Sequence, residues 1–502
     1  MSRSDRLLKS SLVVLAVIVV AKLFALGEDA VVASLIGTSE VADSYYMSAD
    51  IIQLFWYFGS LGIVRVFLPE YKRQLTIYGD SHAEGYSRSM FVVFTAFSIL
   101  ITAILAILAF PITKLTAFGF SSENKSATAE FVRLRTPQIL FWCWTSLITA
   151  KLQSKNRFFV SKIPEAINHL PVIVLPLFFF RRFGAASIFA GLIVGSMLGF
   201  LIQYAFSDNF RLFRSGFHLN GAGVKESLKR IPAAFVSAAM TQIHSFVDKI
   251  MASALPIGAV SSLSYGHKMY TAVNGLISSA VSTVAYPKIT EYATLDDKDR
   301  LTTLVRSILS VLLFVSVPVS FGFICFSQEI TRSLFLRGAF DAGSASQVAI
   351  VFSAYAFGLP CAGINSILQL LFFAYGNTKV PMLISILSII CNIILNYVFA
   401  RIFGVTGIAA ASSFASLISC IFLIVFLKGR IRIINIPLLV RTLRLLAFAL
   451  AACCVAFGIT RFLVSDHQSN LRILLGLVLG AGVYLPLVYV FDKGLFQTIK
   501  AL

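Results

Sequence analysis

Charge is what this 502-residue sequence has least of. Asp, Glu, Lys and Arg together make up 13% of it, where a soluble globular domain carries about a quarter. So few charges cannot clothe a core of this size in water, and 58% hydrophobic residues make the chain a polytopic membrane protein. Enzyme and pump signatures are missing as well. There is no phosphate-binding GxxxxGK[ST], which excludes an ATP-driven pump within this chain, and no HExxH or GxSxG. A potassium-filter sequence of the TVGYG kind is absent. The six histidines fall into no three-ligand spacing. All seven cysteines sit in apolar stretches without metal-ligand or paired extracellular spacing, so they read as small buried residues. Neither an enzyme nor a cofactor is called for.

What is present is a series of apolar stretches, each long enough to span about 30 Å of hydrocarbon. Fourteen are expected: 10–35, 43–69, 88–113, 128–151, 159–180, 185–207, 230–254, 258–285, 303–326, 345–374, 379–402, 405–427, 440–464 and 471–491. The longest connections, near 208–229 and 286–302, are too short for a soluble domain. The first stretch follows Arg3, Arg6 and Lys9 but lacks a small-residue cleavage site, so it reads as a retained helix.

The net charge is +19. An even number of spans with the N-terminus inside puts 27 Lys and Arg on the cytoplasmic face and 11 on the outer face, which is the positive-inside asymmetry. Topology and anionic membrane lipid account for the basic charge without nucleic acid. Both termini are then cytoplasmic.

The chain also repeats itself. FLPEYK (67–72) ends the second span and AYPKITEY (285–292) ends the eighth. KLQSKNRFFVSKIPEAIN (151–168) follows the fourth and FFAYGNTKVPMLIS (372–385) the tenth, each a polar turn, a lysine and a proline opening the next helix. Matches six spans apart imply two six-helix lobes of the same orientation, related by an axis along the membrane normal. The expected organisation is an all-α protein with an N-terminal lobe (1–207), a cytoplasmic linker (208–229), a C-terminal lobe (230–428) and two further helices (440–492). A substrate path would lie between the lobes.

An ionisable residue at bilayer depth costs roughly 2.5–3.5 kcal/mol on insertion scales, so it usually faces protein or water. Lys22 and Asp29 share one face of the first helix, with Glu28 about 100° around from it. Asp43 and Asp50 repeat that spacing in the second. Asp248 and Lys249 lie in the seventh, His267 and Lys268 in the eighth. Any one pair reads equally as a buried ion pair fixing helix register. Together, on four helices lining the inter-lobe cleft, they read as a hydrophilic cavity. Arg65 either lines it or snorkels; Arg133 and Arg135 read as interfacial anchors. Asn168, early in the fifth helix between Glu165 and His169, either lines the cavity or solvates a helix start.

The combination GEDAVVASLIG-(x5)-DSYY (27–46), FLPEYK (67–72), NRFFVSKIP (156–164), LFLRGAF (334–340) and AYGNTKVP (374–381) resembles the MurJ/MviN family of lipid II flippases, of the multidrug/oligosaccharidyl-lipid/polysaccharide exporter superfamily. The resemblance implies a V-shaped, two-lobed transporter that moves a lipid-linked sugar precursor to the outer leaflet by alternating access. It also implies cavity arginines that hold a diphosphate, an anion suited to guanidinium forks. Those arginines fall here at Lys22, at Glu28, near Trp56 and Tyr57, and at Lys268. Asp29, Asp43 and Asn168 are retained.

Cationic capacity is thus reduced and one sign reversed. Two explanations follow. The cargo is a related undecaprenyl-diphosphate-linked saccharide, such as a capsule, exopolysaccharide or O-antigen unit, held through Lys22, Lys249, Lys268 and aromatics. Alternatively, Glu28, Asp29 or Asp248 binds a coupling Na+ or H+. The competing functions are a drug/cation antiporter of the same superfamily and a non-transporting membrane scaffold. The chain is expected to act as a monomer, in contact with cell-wall or polysaccharide assembly enzymes.

Overall fold

In hydrocarbon a backbone survives only if its N–H and C=O groups bond internally, so apolar stretches of this length have to be helices. In the computed structural model, which describes residues 3–57, 63–207, 222–240, 242–428, 431, 433–465 and 468–501, the elements are α-helices. The chain divides into two compact units, Met1–Phe246 and Val247–Leu502.

The first unit holds α1 (Arg3–Ile36), α2 (Glu40–Tyr57), α3 (Val64–Tyr78), α4 (Asp80–Thr116), α5 (Ser122–Arg135), α6 (Pro137–Ser154), α7 (Phe158–Ile167), α8 (His169–Phe183), α9 (Ala186–Phe206) and α10 (Ala222–Met240). Helix α1 packs against α7 and α8, α2 against α5, and α9 against α6, α7 and α8. Residues 208–221 of the expected linker lie outside the described residues. Helix α10 was expected to begin the C-terminal lobe at 230. By its contacts it falls within Met1–Phe246, its start being tied to α3 and α4. Tyr86 Oη and Ser227 Oγ are 2.7 Å apart, and Arg73 donates to Glu226 at 3.2 Å.

Helix α11 (Ile243–Ala252) crosses the boundary between the units. The second unit continues with α12 (Ala259–Thr294), α13 (Lys298–Cys325), α14 (Ser327–Phe335), α15 (Ala342–Phe357), α16 (Leu359–Ala374), α17 (Lys379–Leu427), α18 (Ile436–Leu463), α19 (Ser469–Phe491) and α20 (Lys493–Ala501). One core gathers Ile289, Leu301, Val305, Leu368, Leu371 and Leu423. A second joins α13 to the C-terminal helices through Val317, Leu445, Ala449, Tyr484 and Val488. The LFLRGAF stretch forms the turn into α15: Phe335 and Phe340 close on the buried Tyr265 ring at 5.1 and 5.4 Å. Arg337 donates to the Ser333 and Leu334 carbonyls at the end of α14. Asp341 caps α15, and hydrogen bonds from Ser344 hold its carboxyl below the usual carboxylate range.

Among the described residues, seven helical stretches, one of them the α7–α8 run Phe158–Phe183, are long and apolar enough to cross a membrane, and the pair α15–α16, bent by 40°, makes an eighth. The protein is therefore a multi-pass membrane protein, with fewer unbroken apolar helices among the described residues than the fourteen segments expected. The missing ones are 10–35, 43–69, 128–151, 230–254 and 258–285. The second is described as α2 up to Tyr57 and as α3 from Val64, with 58–62 outside the described residues; the fourth breaks between α5 and α6; the seventh is described as α10 up to Met240 and as α11 from Ile243, with 241 outside the described residues. The first and eighth are continuous but carry charge and, in α12, many serines. Apart from 128–151, these are the segments that hold the inward charges.

The stretches compared in the sequence share two local backbone features. The turn after α6 holds Asn156 at φ 60° and the turn after α16 holds Gly376 at φ 68°. The fourth and tenth expected segments both break just before a proline, at Thr136–Pro137 and at Gly358. Pro381 opens α17 as expected, but the other three prolines do not mark helix ends. Pro69, Pro164 and Pro287 lie inside α3, α7 and α12, which run on beyond them.

Close packing in the first unit depends on α9. A Cβ at Gly195 would sit 2.2 Å from the Asn168 carbonyl oxygen, and one at Gly191 2.8 Å from that of Pro171. Glycines at four-residue spacing thus let α9 lie directly on another backbone. Gly195→Ala is expected to destabilise the protein by about 1–3 kcal/mol, as overpacking does. Gly85→Ala, with open space around its Cβ, should be neutral or stabilising by up to about 1 kcal/mol. Thermal unfolding of the purified variants in detergent measures both.

Candidate functional site

The first cluster forms where a helix is interrupted. Pro171 has no N–H to give the Ile167 carbonyl, and the helix divides at Asn168 into α7 and α8. The glycine face of α9 closes over this break, and Asn168 turns its side chain to that face: a Cβ at Gly199 would come 2.4 Å from Asn168 Oδ1. The next residue, His169, faces α1. Its Nδ1 lies 2.5 Å from Glu28 Oε2, joining residues 141 apart in sequence. The Glu28 side chain is 11% exposed and that of His169 29%. Asp29, one residue on, is buried.

The remaining expected site residues of this unit scatter. Lys22 is exposed on α1 and forms no ion pair among the described residues, so it does not neutralise Glu28 or Asp29 there. Asp43 and Asp50 are buried on α2. Trp56 meets Trp142 edge to face at 6.3 Å. Tyr57 ends α2, and its side chain lies outside the described residues. Arg65 is exposed on α3.

Arg135 overturns its expected role as an interfacial anchor. It is buried, with its guanidinium 4.2 Å from the Tyr45 ring centroid and 5.2 Å from that of Phe189. Aromatic faces stabilise a cation by roughly 0.5–2 kcal/mol, most when it is desolvated.

The second cluster lies in the second unit, around Asp248, which is 3% exposed. Asn396 Nδ2 donates to Asp248 Oδ1 at 2.7 Å, and Ser412 Oγ donates to Oδ2 at 2.5 Å. Asn396 Nδ2 also reaches Asn392 Oδ1 at 3.3 Å, and Asn392 Nδ2 donates to Ser412 Oγ at 3.2 Å. Asn396 Oδ1 is buried without a donor among the described residues. The fold-back of α17 makes this arrangement possible. Gly404, at φ 60° and ψ −138°, interrupts the helix in a conformation L side chains avoid. The two arms then touch, with Gly407 closing on the Phe399 carbonyl and Ser388 Oγ donating to Ala415 O at 3.3 Å.

Asn392, Asn396 and Ser412 escaped the sequence reading, which followed ionisable side chains. Two asparagines four residues apart in an apolar span were the available signal. Lys249 is buried beside Asp248 in sequence. His267 sits edge-on to the Tyr355 ring at 5.3 Å, which in turn stacks on Tyr270 at 5.8 Å. Lys268 is half-buried on the same helix, α12. Among the described residues no three His, Cys, Asp or Glu converge as metal ligands; both clusters are mixed carboxylate, amide, hydroxyl and imidazole groups.

The family model for the lipid II flippase MurJ matches residues 32–475. The chain belongs to the MurJ lipid II flippase family. It is a distant member. A probable lipid II flippase MurJ of Rickettsia prowazekii (strain Madrid E) is 27% identical over 415 residues, 82% of each chain. Among solved structures, a lipid II flippase MurJ in an inward closed conformation superposes with a TM-score of 0.83 at 23% identity, covering 97% of this chain and 100% of that one. An inward-facing multidrug resistance MATE transporter of the MOP superfamily gives 0.65 at 11% identity, over 84% and 97%. The fold is thus that of MurJ and, more loosely, of MATE transporters. The family is one of transporters, not enzymes.

Ser412→Ala should cost about 1–3 kcal/mol, because it leaves a buried carboxylate oxygen without its donor. In an Asp248→Leu background the same change should cost little, as the two residues act as one network. Detergent unfolding of the four proteins of this cycle measures the difference.

Proposed function

We propose that the chain is a flippase for an undecaprenyl-diphosphate-linked saccharide, lipid II or a related polysaccharide precursor, carried from the cytoplasmic to the outer leaflet by alternating access. The observation that carries this reading is the family match, which runs through 32–475 rather than through one motif. In the same reading the fourteen expected segments are the membrane crossings. Residues 1–207 and 230–428 are the two lobes, 208–229 the linker, and 440–492 the appended helices. The protein works as a monomer in a bacterial cytoplasmic membrane, with both termini cytoplasmic. Its partners are membrane lipids and the enzymes that assemble cell wall or surface polysaccharide.

The residues that would meet the cargo are Lys22, Glu28, Asp29, Asp43, Trp56, Tyr57, Arg65 and Asn168 in the first lobe and Asp248, Lys249, His267 and Lys268 in the second. The cations suit a diphosphate and the rings suit sugar faces.

Transport draws on the membrane potential, worth about 2.3 kcal/mol per charge per 100 mV, or on an ion gradient. Oxygens from Asp248, Asn392, Asn396 and Ser412 suit a hard monovalent cation such as Na+. The buried, donorless Asn396 Oδ1 supports that donor set.

A drug/cation antiporter is the second reading. The buried Asp29 and Asp248 and the fold likeness to a MATE transporter favour it, and the family match weighs against it.

Complementation of cells depleted of their lipid II flippase separates the alternatives. Rescue that Lys22→Ala and Lys268→Ala each reduce by about tenfold, ~1.4 kcal/mol, supports peptidoglycan export. No rescue, with loss of a surface polysaccharide on deletion, supports the related precursor. Efflux of an organic cation without either effect supports the antiporter. Transport unchanged by neutralising Lys22, Glu28, Asp29 and Lys268 together would sink the assignment of these residues to the cargo path. For the coupling ion, Asp248→Asn should abolish any stimulation of transport by a Na+ gradient.

A further inference from the structure

We propose that Glu28 and His169 form a proton-binding site in the first unit, and that the proton it takes up is a coupling ion of the transport cycle. The second half of that statement rests on the transport reading above; the first stands on the geometry alone.

Three observations converge. The first is the contact itself, 2.5 Å between His169 Nδ1 and Glu28 Oε2. A carboxylate and an imidazole at this distance hold either one proton, with Nδ1–H donating to the carboxylate, or two, with an imidazolium beside it. Only the ring Nε2 gains or loses the second proton, so the pair passes between net charge −1 and zero and nothing else changes. Imidazole is the side chain whose ordinary range makes this change near neutral pH. The second is access: the His169 ring is 29% exposed while its partner carboxylate is 11% exposed. The proton therefore enters on the imidazole and is stabilised by the buried acid.

The third is how the ring is held. His169 is the first residue of α8, directly after a break whose carbonyl oxygens at Asn168 and Pro171 lie against Gly195 and Gly191 of α9. This backbone has no room to shift, so the imidazole is presented to α1 at a fixed position.

The charged groups on the surrounding elements are few. On α1, Asp29 is the next residue and Lys22 lies six residues before Glu28. On α7, Lys162 and Glu165 bond to each other. On α8 the other charges are Arg181 and Arg182, in its last turn. Helix α9 carries no Asp, Glu, Lys, Arg or His, only Tyr204 near its end. Lys151 of α6, which packs on α7, is taken by Glu84 at 2.7 Å. A cation such as Na+ prefers oxygen ligands, and here one of the two facing atoms is nitrogen, so the proton is the ion that fits.

The test is an infrared pH titration of the full-length protein in lipid nanodiscs, without cargo. A paired carboxylate and imidazole signal should appear in the titration, and Glu28→Gln and His169→Gln should each remove both halves of it. Either variant alone suffices if the other fails to fold. In proteoliposomes, fluorescent lipid II should move several-fold faster under a proton gradient, and His169→Arg, which fixes the positive charge, should lose that response. A titration unchanged by both substitutions overturns the site. A gradient response unchanged in His169→Arg overturns its coupling role. If the signal behaves as expected but lipid II never moves, the cargo reading fails and the proton site stands.

Discussion

Because the bilayer interior supplies neither donor nor acceptor, each carbonyl freed by a proline and each carboxylate carried into a span must find its partner inside the chain. That constraint explains why the polar residues come in sets drawn from distant segments. Asp248 is met by Asn396 and Ser412, and Glu28 by His169. Arg135 takes two aromatic faces instead of a carboxylate. An unpartnered group in any of these places would cost about 1–3 kcal/mol, a sizeable share of the roughly 5–15 kcal/mol by which a protein is stable.

The same constraint ties helix interruptions to the clusters. A continuous helix spends its backbone groups on itself and offers only side chains. At Asn168 and at Gly404 the helix is broken or folded back, and a polar cluster gathers beside each break. The fold-back at Gly404 brings Asn392 and Ser412, twenty residues apart, within one hydrogen bond. Small residues finish the arrangement, since the glycines of α9 let a second helix cover the exposed backbone at Asn168.

Continuous apolar helices were legible in the sequence because their signal is local. The segment expected at 185–207 is α9 at Ala186–Phe206, that at 471–491 is α19 at Ser469–Phe491, and the division expected between 402 and 405 is the kink at Gly404. Breaks inside apolar stretches were not, because hydropathy averages across them: in 128–151 the turn at Thr136 is marked only by Pro137, which a hydropathy window does not weigh. The first-unit site was half legible. A carboxylate at bilayer depth announced itself at Glu28, but no periodicity links it to a histidine 141 residues later. Asn168 stood out as a polar residue in an apolar stretch, but nothing in the sequence told that it lies against the glycines of α9. The motif LFLRGAF, which identifies the family, is a buried aromatic turn rather than a binding element.

The reversed sign at Glu28 then has a physical reading. An arginine there would hold a permanent positive charge. The Glu28–His169 pair alternates between −1 and zero, so it repels an anionic cargo until it takes a proton and is then indifferent to it. Proton binding and anion binding at neighbouring positions would therefore favour each other, and by reciprocity the cargo would raise the pair's proton affinity by the same factor. A fixed cation contributes constant attraction, which tightens the loaded state in both orientations and slows release. A titratable pair makes the attraction conditional on which side supplies the proton, and only that difference can be turned into direction.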